Sequence, residues 1–240
     1  MAANDISDPE PAEETTTGLR FGEQPLAQTV AAAGALRRIA GLLISLEQPH
    51  SAVGTMIENL ERWERELAVA APPDSAPRVG PHASDTQRVY LDHAFDIGAY
   101  NPCFPEYHFD VLGPDRAGGR ITFPLVHEGP PGLVHGGFLG VFFDAVVQHH
   151  SCAVGVTGKT RSMNITYRRP TPILVELRFE IDRVVHETGI RSTARLLRDD
   201  ALLCTADVET VAATAAKLAG THFGRRRVPD RPAPAPRPHP

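Results

Sequence analysis

The 240-residue sequence holds only three cysteines, Cys103, Cys152 and Cys204. They are odd in number, far apart and never in a CxxC pair. That excludes a disulfide framework and a cysteine-built zinc site, and it fits a reducing, cytoplasmic compartment. Long hydrophobic runs are also missing: none approaches the ~18 residues of a membrane span. The opening MAANDISDPEPAEE is acidic and lacks a basic-then-apolar pattern, so neither a signal peptide nor a transit peptide is expected there. Positive charge is in deficit, with 24 Lys and Arg against 29 Asp and Glu and a net charge of −5, which argues against a nucleic-acid binder as a whole. No Gly-x-Ser-x-Gly occurs, which disfavours a serine hydrolase. No phosphate loop and no dinucleotide fingerprint occur either. Aromatic residues are sparse at 6%, and Trp63 and Phe104 read as packing residues rather than ligand stackers.

What is present is an ordinary globular mixture, 42% hydrophobic and 22% charged. At roughly 100–200 residues per domain the length allows one domain with extensions or two small ones. Charge is uneven at the ends. Asp5, Asp8, Glu10, Glu13, Glu14 and Glu23 face Arg20 alone in residues 1–24, whereas Arg225, Arg226, Arg227, Arg231 and Arg237 face Asp230 near the other end. Both ends read as disordered: an acidic segment over 1–24 and a basic, proline-rich tail over 216–240. Residues 25–70 read as a helical hairpin. Its first helix carries Val30, Leu36, Ile39, Leu42, Leu43 and Leu46 at helical spacing; its second starts at an N-cap Ser51 and carries Val53, Ile57, Leu60, Trp63 and Leu67. An apolar face of that kind needs a packing partner, either the main domain or a second subunit. The proline-rich run after Ala71 marks a linker over 71–88.

The main domain is expected over 89–215. Strands are predicted over 107–111 and 120–126, followed by one strongly apolar helix over 136–151. Four more strands are predicted, over 160–168, 174–186, 190–198 and 202–211. The last three alternate apolar and polar residues with period two, as Val175, Leu177, Phe179 and Ile181 do against Glu176, Arg178, Glu180 and Asp182. Such alternation buries one face and wets the other. Short connections at Thr188-Gly189 and Asp199-Asp200 make these antiparallel hairpins. One buried helix against a long antiparallel sheet is an α+β arrangement.

Chemistry concentrates at the start of that helix. Pro130, Pro131 and Gly132 force an irregular loop, and the helix begins near His135-Gly136-Gly137. The first N–H groups of a helix lack internal partners and sit at the positive end of its dipole. They suit a carbonyl oxygen that gains negative charge. Asp144 is the second clue. From Phe138 to Val147 every residue except Gly140 and Asp144 is apolar, and a lone carboxylate in such a helix is costly unless it is paired or used. Gly136 and Asp144 are eight residues apart, about 12 Å along a helix at 1.5 Å per residue. If both act on one bond, the second copy must come from a neighbouring subunit, which points to a two-fold dimer with composite sites. Lys159, Arg168 and Arg169 flank the next strand and are candidates for holding phosphate. His149 and His150 lack the spacing of a zinc site, so no metal is expected.

The string His135-Gly136-Gly137, with Asp144 nine residues after the histidine and Thr160 sixteen after the aspartate, resembles the hotdog-fold acyl-CoA thioesterases of the PaaI type. The strand from Thr160 to Pro170, ending in Tyr167-Arg168-Arg169-Pro170, belongs to the same pattern. The likeness covers roughly residues 89–212. It implies a hotdog fold, a long antiparallel sheet wrapped around one central helix, assembled as a homodimer or tetramer. It implies an acyl-CoA or acyl-carrier thioester as substrate and no cofactor. The thioester carbonyl would meet the Gly136 N–H, with His135 and Gly137 shaping the loop. Asp144 of the partner subunit would serve as general base or nucleophile, and Thr160 would orient the water or the carboxylate. Some members carry an amide side chain where this sequence has Gly129. Two other readings share the fold: a non-catalytic acyl-CoA-binding or scaffold protein, and an enoyl-CoA hydratase using Asp144 with His149.

Overall fold

The computed structural model describes residues 27–70, 96–154 and 158–212. The acidic segment, the linker and the basic tail expected from the sequence lie outside the described residues. Two helices come first, α1 (Ala27–Ile44) and α2 (Ser51–Ala70), then a single turn, α3 (Ile97–Tyr100). The main sheet contains β1 (Tyr107–Leu112), β2 (Arg116–Thr122), β3 (Gly158–Tyr167), β4 (Glu176–His186), β5 (Gly189–Arg198) and β6 (Ala201–Ala212). A 3-10 turn (Leu125–His127) and the long helix α4 (Gly136–Val154) separate β2 from β3. The strand order is β1-β2-β4-β5-β6-β3, with every described pair antiparallel.

Period-two alternation does what the sequence predicts in the centre of this sheet. Leu177, Phe179 and Ile181 of β4, Ala194 and Leu196 of β5, and Cys204, Ala206 and Val208 of β6 are buried on one face. Against them α4 lays Leu139, Phe142, Phe143, Val146 and Val147, also buried. An edge-to-face contact between Phe142 of α4 and Phe179 of β4, at a centroid distance of 5.5 Å, ties the layers together, and Phe109 of β1 meets Phe179 within the sheet at 5.1 Å. Each large side chain buried here contributes about 1.5–3 kcal/mol, so this layer is where the fold is fixed.

The boundaries differ from the sequence reading in instructive ways. β2 begins at Arg116 and ends at Thr122, four residues earlier than expected at each end. Ala-Gly-Gly reads as a turn in isolation, yet it is paired on both sides, by β1 and by β4. Gly119 is required there, because a Cβ would sit 1.9 Å from the His108 carbonyl oxygen. β4 starts at Glu176, since Leu174 takes a positive φ of 58° that no strand accommodates. α4 runs on to Val154.

Both helices form, but they do not pack closely on each other, and the buried side of α1 is not the one the periodicity suggests. α1 packs on α3 and the 3-10 turn through Ala33 and a buried Arg37. The Arg37 guanidinium donates to the carbonyls of Gly98 at 2.9 Å, Asn101 at 3.1 Å and Phe104 at 3.4 Å, and pairs with Glu106 at 3.0 Å. Leu36, Ile39, Leu42 and Leu43 remain exposed, as do Ile57, Leu60, Trp63 and Leu67 of α2.

Candidate active site

The loop before α4 is built by backbone bonds. His135 N–H donates to the His127 carbonyl at 2.9 Å, and Val134 N–H to the Thr171 carbonyl at 2.8 Å. The Glu128 carboxylate accepts from Gly132 N–H at 2.6 Å. Gly129 lies against His135; a Cβ at 129 would stand 2.8 Å from the His135 Cα and Cβ. No side chain fits there without moving the loop, which accounts for the absence of an amide side chain at this position.

His135 is the residue before the helix. Its carbonyl accepts from Phe138 N–H at 2.9 Å, and its ring Nδ1 accepts from Gly137 N–H at 3.0 Å. The side chain therefore caps the helix, and it occupies the Gly137 donor. Tyr167 of β3 reaches across and donates its hydroxyl to the Gly136 carbonyl at 3.1 Å. What remains unpaired among the described residues is the Gly136 N–H. Of the two glycine donors that the sequence offers, only one is free at the positive end of the α4 dipole.

Beside this donor lies a cleft of about 420 Å³ lined by Leu133, Gly136, Leu139, Tyr167, Arg168 and Arg169, among others. Arg168 and Arg169 are exposed at its rim. The Arg169 guanidinium also donates from Nη1 to the Leu202 carbonyl at 2.8 Å, which fixes the head group at the rim. Lys159 is at the opposite end of β3, exposed beside Thr160, so the structure does not group it with the two arginines.

Asp144 sits two helical turns along α4, half-buried, on the side that faces β3. Thr160 Oγ1 donates to Asp144 Oδ1 at 2.7 Å, and Gln148 Nε2 donates to Thr160 Oγ1 at 2.7 Å. The second Asp144 oxygen has no partner among the described residues. Thr160 reaches this face through an irregularity. Met163 and Ile165 point toward α4, where even a Cβ at Gly140 would meet them in ordinary contact, at 3.8 and 3.6 Å. Strict alternation from there would turn residue 160 to solvent. A β-bulge at Arg161, between the pairs Thr160–Thr210 and Ser162–Glu209, adds one residue and turns Thr160 back inward. Asp144 and Thr160 were singled out from the sequence; Gln148 and Tyr167 were not given roles. Gln148 stands four residues after Asp144, the spacing that places two side chains on one helix face.

His149 does not join this group. Its Nδ1 contacts the Tyr107 hydroxyl at 3.1 Å and its ring lies edge-on to Phe109 at 4.9 Å. Burial, with some help from His150, pushes its pKa down to about 4. His127, behind the loop, is likewise lowered to about 4 by burial and by the nearby Arg37 charge. Among the described residues no cluster of three or more His, Cys, Asp or Glu could hold a metal ion. No described helix is long and apolar enough to cross a membrane.

No family model matches the chain. Solved structures do share its architecture. The crystal structure of a thioesterase superfamily protein superposes with a TM-score of 0.65 and 22% identity, over 81% of this chain and 96% of its own. The chain has a hotdog fold. Shorter matches include thioesterase superfamily member 2 from Mus musculus, with a TM-score of 0.42 and 17% identity over 45% of this chain and 82% of its own. A Streptococcus mutans protein bound to acetyl CoA matches with a TM-score of 0.44 and 13% identity, over 46% of this chain and 90% of its own.

Proposed function

We propose that this hotdog protein hydrolyses an acyl thioester of coenzyme A or of an acyl carrier, giving a free acid and a thiol. The observation that carries the reading is the pairing of two groups on one helix: a Gly136 N–H with no partner among the described residues at its start, and a half-buried Asp144 with one oxygen held by Thr160. The N–H suits the oxyanion of a tetrahedral intermediate. The carboxylate suits a general base that takes a proton from water, or a nucleophile. α4 is continuous between them, so about 12 Å of helix separates the two. They meet on one substrate only if Asp144 of the partner subunit closes the site. Two features fit such a dimer: β3 is an edge strand with no described neighbour on its outer side, and the α4 side bearing Asp144 is only half covered. Arg168 and Arg169 at the cleft rim suit the phosphates of coenzyme A.

In the proposed reaction, water attacks the carbonyl carbon as its proton passes to Asp144. The oxyanion then collapses, the carbon–sulfur bond breaks, and the thiolate takes up a proton. Asp144→Asn is expected to abolish thiol release from an acyl-CoA panel while leaving the assembly intact. Gly136→Pro removes the N–H at a helical position where proline is tolerated, although its ring also crowds Tyr167, whose hydroxyl would lie 3.2 Å from the new Cβ; it is expected to be equally inactive. Co-refolding the two dead variants at equal amounts should restore about a quarter of wild-type activity, because half of the dimers are mixed and each has one sound site. No recovery would overturn the composite site, and full activity in Asp144→Asn would overturn the mechanism. A scaffold role is favoured by a separate observation, the exposed apolar residues of α1 and α2. Binding of acyl-CoA without thiol release would select that reading.

A further inference from the structure

We infer that Gln148 is a positioning residue for the hydrolysis proposed above, on which this inference rests: it sets the direction of the Thr160 hydroxyl and thereby aims Asp144. A threonine hydroxyl has one proton and two lone pairs. Its proton can serve Asp144 reliably only if another donor occupies a lone pair. Gln148 Nε2 is that donor, at 2.7 Å from Thr160 Oγ1, and the hydroxyl is then left to donate to Asp144 Oδ1, also at 2.7 Å. With the amide reversed, the Gln148 oxygen and the carboxylate would compete for a single proton. Three elements of the design converge on this chain of bonds. Asp144 and Gln148 share a face of α4 at a spacing of four residues, and the bulge at Arg161 brings Thr160 inward from β3. The half-burial of all three residues reduces competition from water. The result is a carboxylate with one oxygen fixed and the other without a partner among the described residues.

The test uses the full-length protein and an acyl-CoA that wild type hydrolyses. Gln148→Leu keeps the side-chain bulk but removes the donor. It is expected to lower kcat about tenfold with KM nearly unchanged, the equivalent of one lost hydrogen bond of about 1.4 kcal/mol. Thr160→Val should lose a similar factor, and Thr160→Ser should recover most of it. The double variant Gln148→Leu/Thr160→Val should be no slower than Thr160→Val alone, since both act through one hydroxyl. Gln148→Glu should fall below Gln148→Leu, because a carboxylate draws the hydroxyl proton away from Asp144. Losses that multiply in the double variant, or a Gln148→Glu enzyme as fast as wild type, would overturn the inference. A structural role alone would show as a lowered melting temperature with no such coupling. If wild type releases thiol from no thioester, the functional reading fails, and the bond chain is then judged by NMR. The Gln148 side-chain amide resonances should shift in Thr160→Val, and their indifference to that change would overturn it.

Discussion

At the scale of single residues, the proposed chemistry rests on which polar groups are spent and which are free. His135 spends its ring on Gly137, Tyr167 spends its hydroxyl on the Gly136 carbonyl, and one N–H is left over. Titration at this scale has a definite sign. His127 and His149 are held near 4 in the fold, against 6.5 for an ordinary histidine. Between those values the unfolded chain binds protons that the folded chain does not, so stability is complete above pH 6.5 and is lost as pH falls toward 4. Melting temperatures measured across that range should decline on acidification. His127→Phe should flatten the decline, since the ring packs tilted against Phe138 at 4.4 Å and its Nδ1 has no hydrogen bond to lose. The residues that carried the expected site were legible because each broke a local rule: an acid in an apolar helix, and glycines at a helix start. Gln148 was not, because a neutral amide four residues past an acid breaks no rule. The facing of Thr160 was illegible for another reason. Alternation counts residues, and the bulge at Arg161 inserts one without any mark in composition.

At the scale of elements, alternation and helical period located β4, β5, β6 and α4 to within a few residues. They failed where a neighbour decides. β2 is a strand because β1 and β4 flank it, not because Arg-Ala-Gly-Gly favours one. α1 shows the limit most sharply. Its leucines share a face, but the element it meets offers three carbonyls, and so a guanidinium went inward while Leu36, Leu42 and Leu43 stayed out. Periodicity tells which residues lie together and not what lies across from them. Arg37→Ala should therefore destabilise the fold by roughly 2–4 kcal/mol, because buried carbonyls lose charged donors. Urea unfolding of the variant measures this. Leu42→Ala, at an exposed position on the same helix, should change stability by less than about 0.5 kcal/mol.

At the scale of the whole molecule, the proposed chemistry depends on assembly. If hydrolysis needs Asp144 and Gly136 from different subunits, specific activity should fall on dilution in step with the dissociation seen by sedimentation. A constant specific activity through that transition would separate catalysis from association. The order of strands adds a consequence of its own. β3 follows α4 directly in sequence, yet its only described sheet neighbour is β6, the last described strand. Thr160 is seated opposite Thr210, fifty positions downstream. On a ribosome, the carboxylate would thus emerge long before anything could hold its hydroxyl partner in line. If the proposed reaction holds, synthesis must deliver the β5–β6 hairpin before the first competent pocket exists, so a prematurely stopped chain lacking β6 would retain every residue named for the reaction and still be inert.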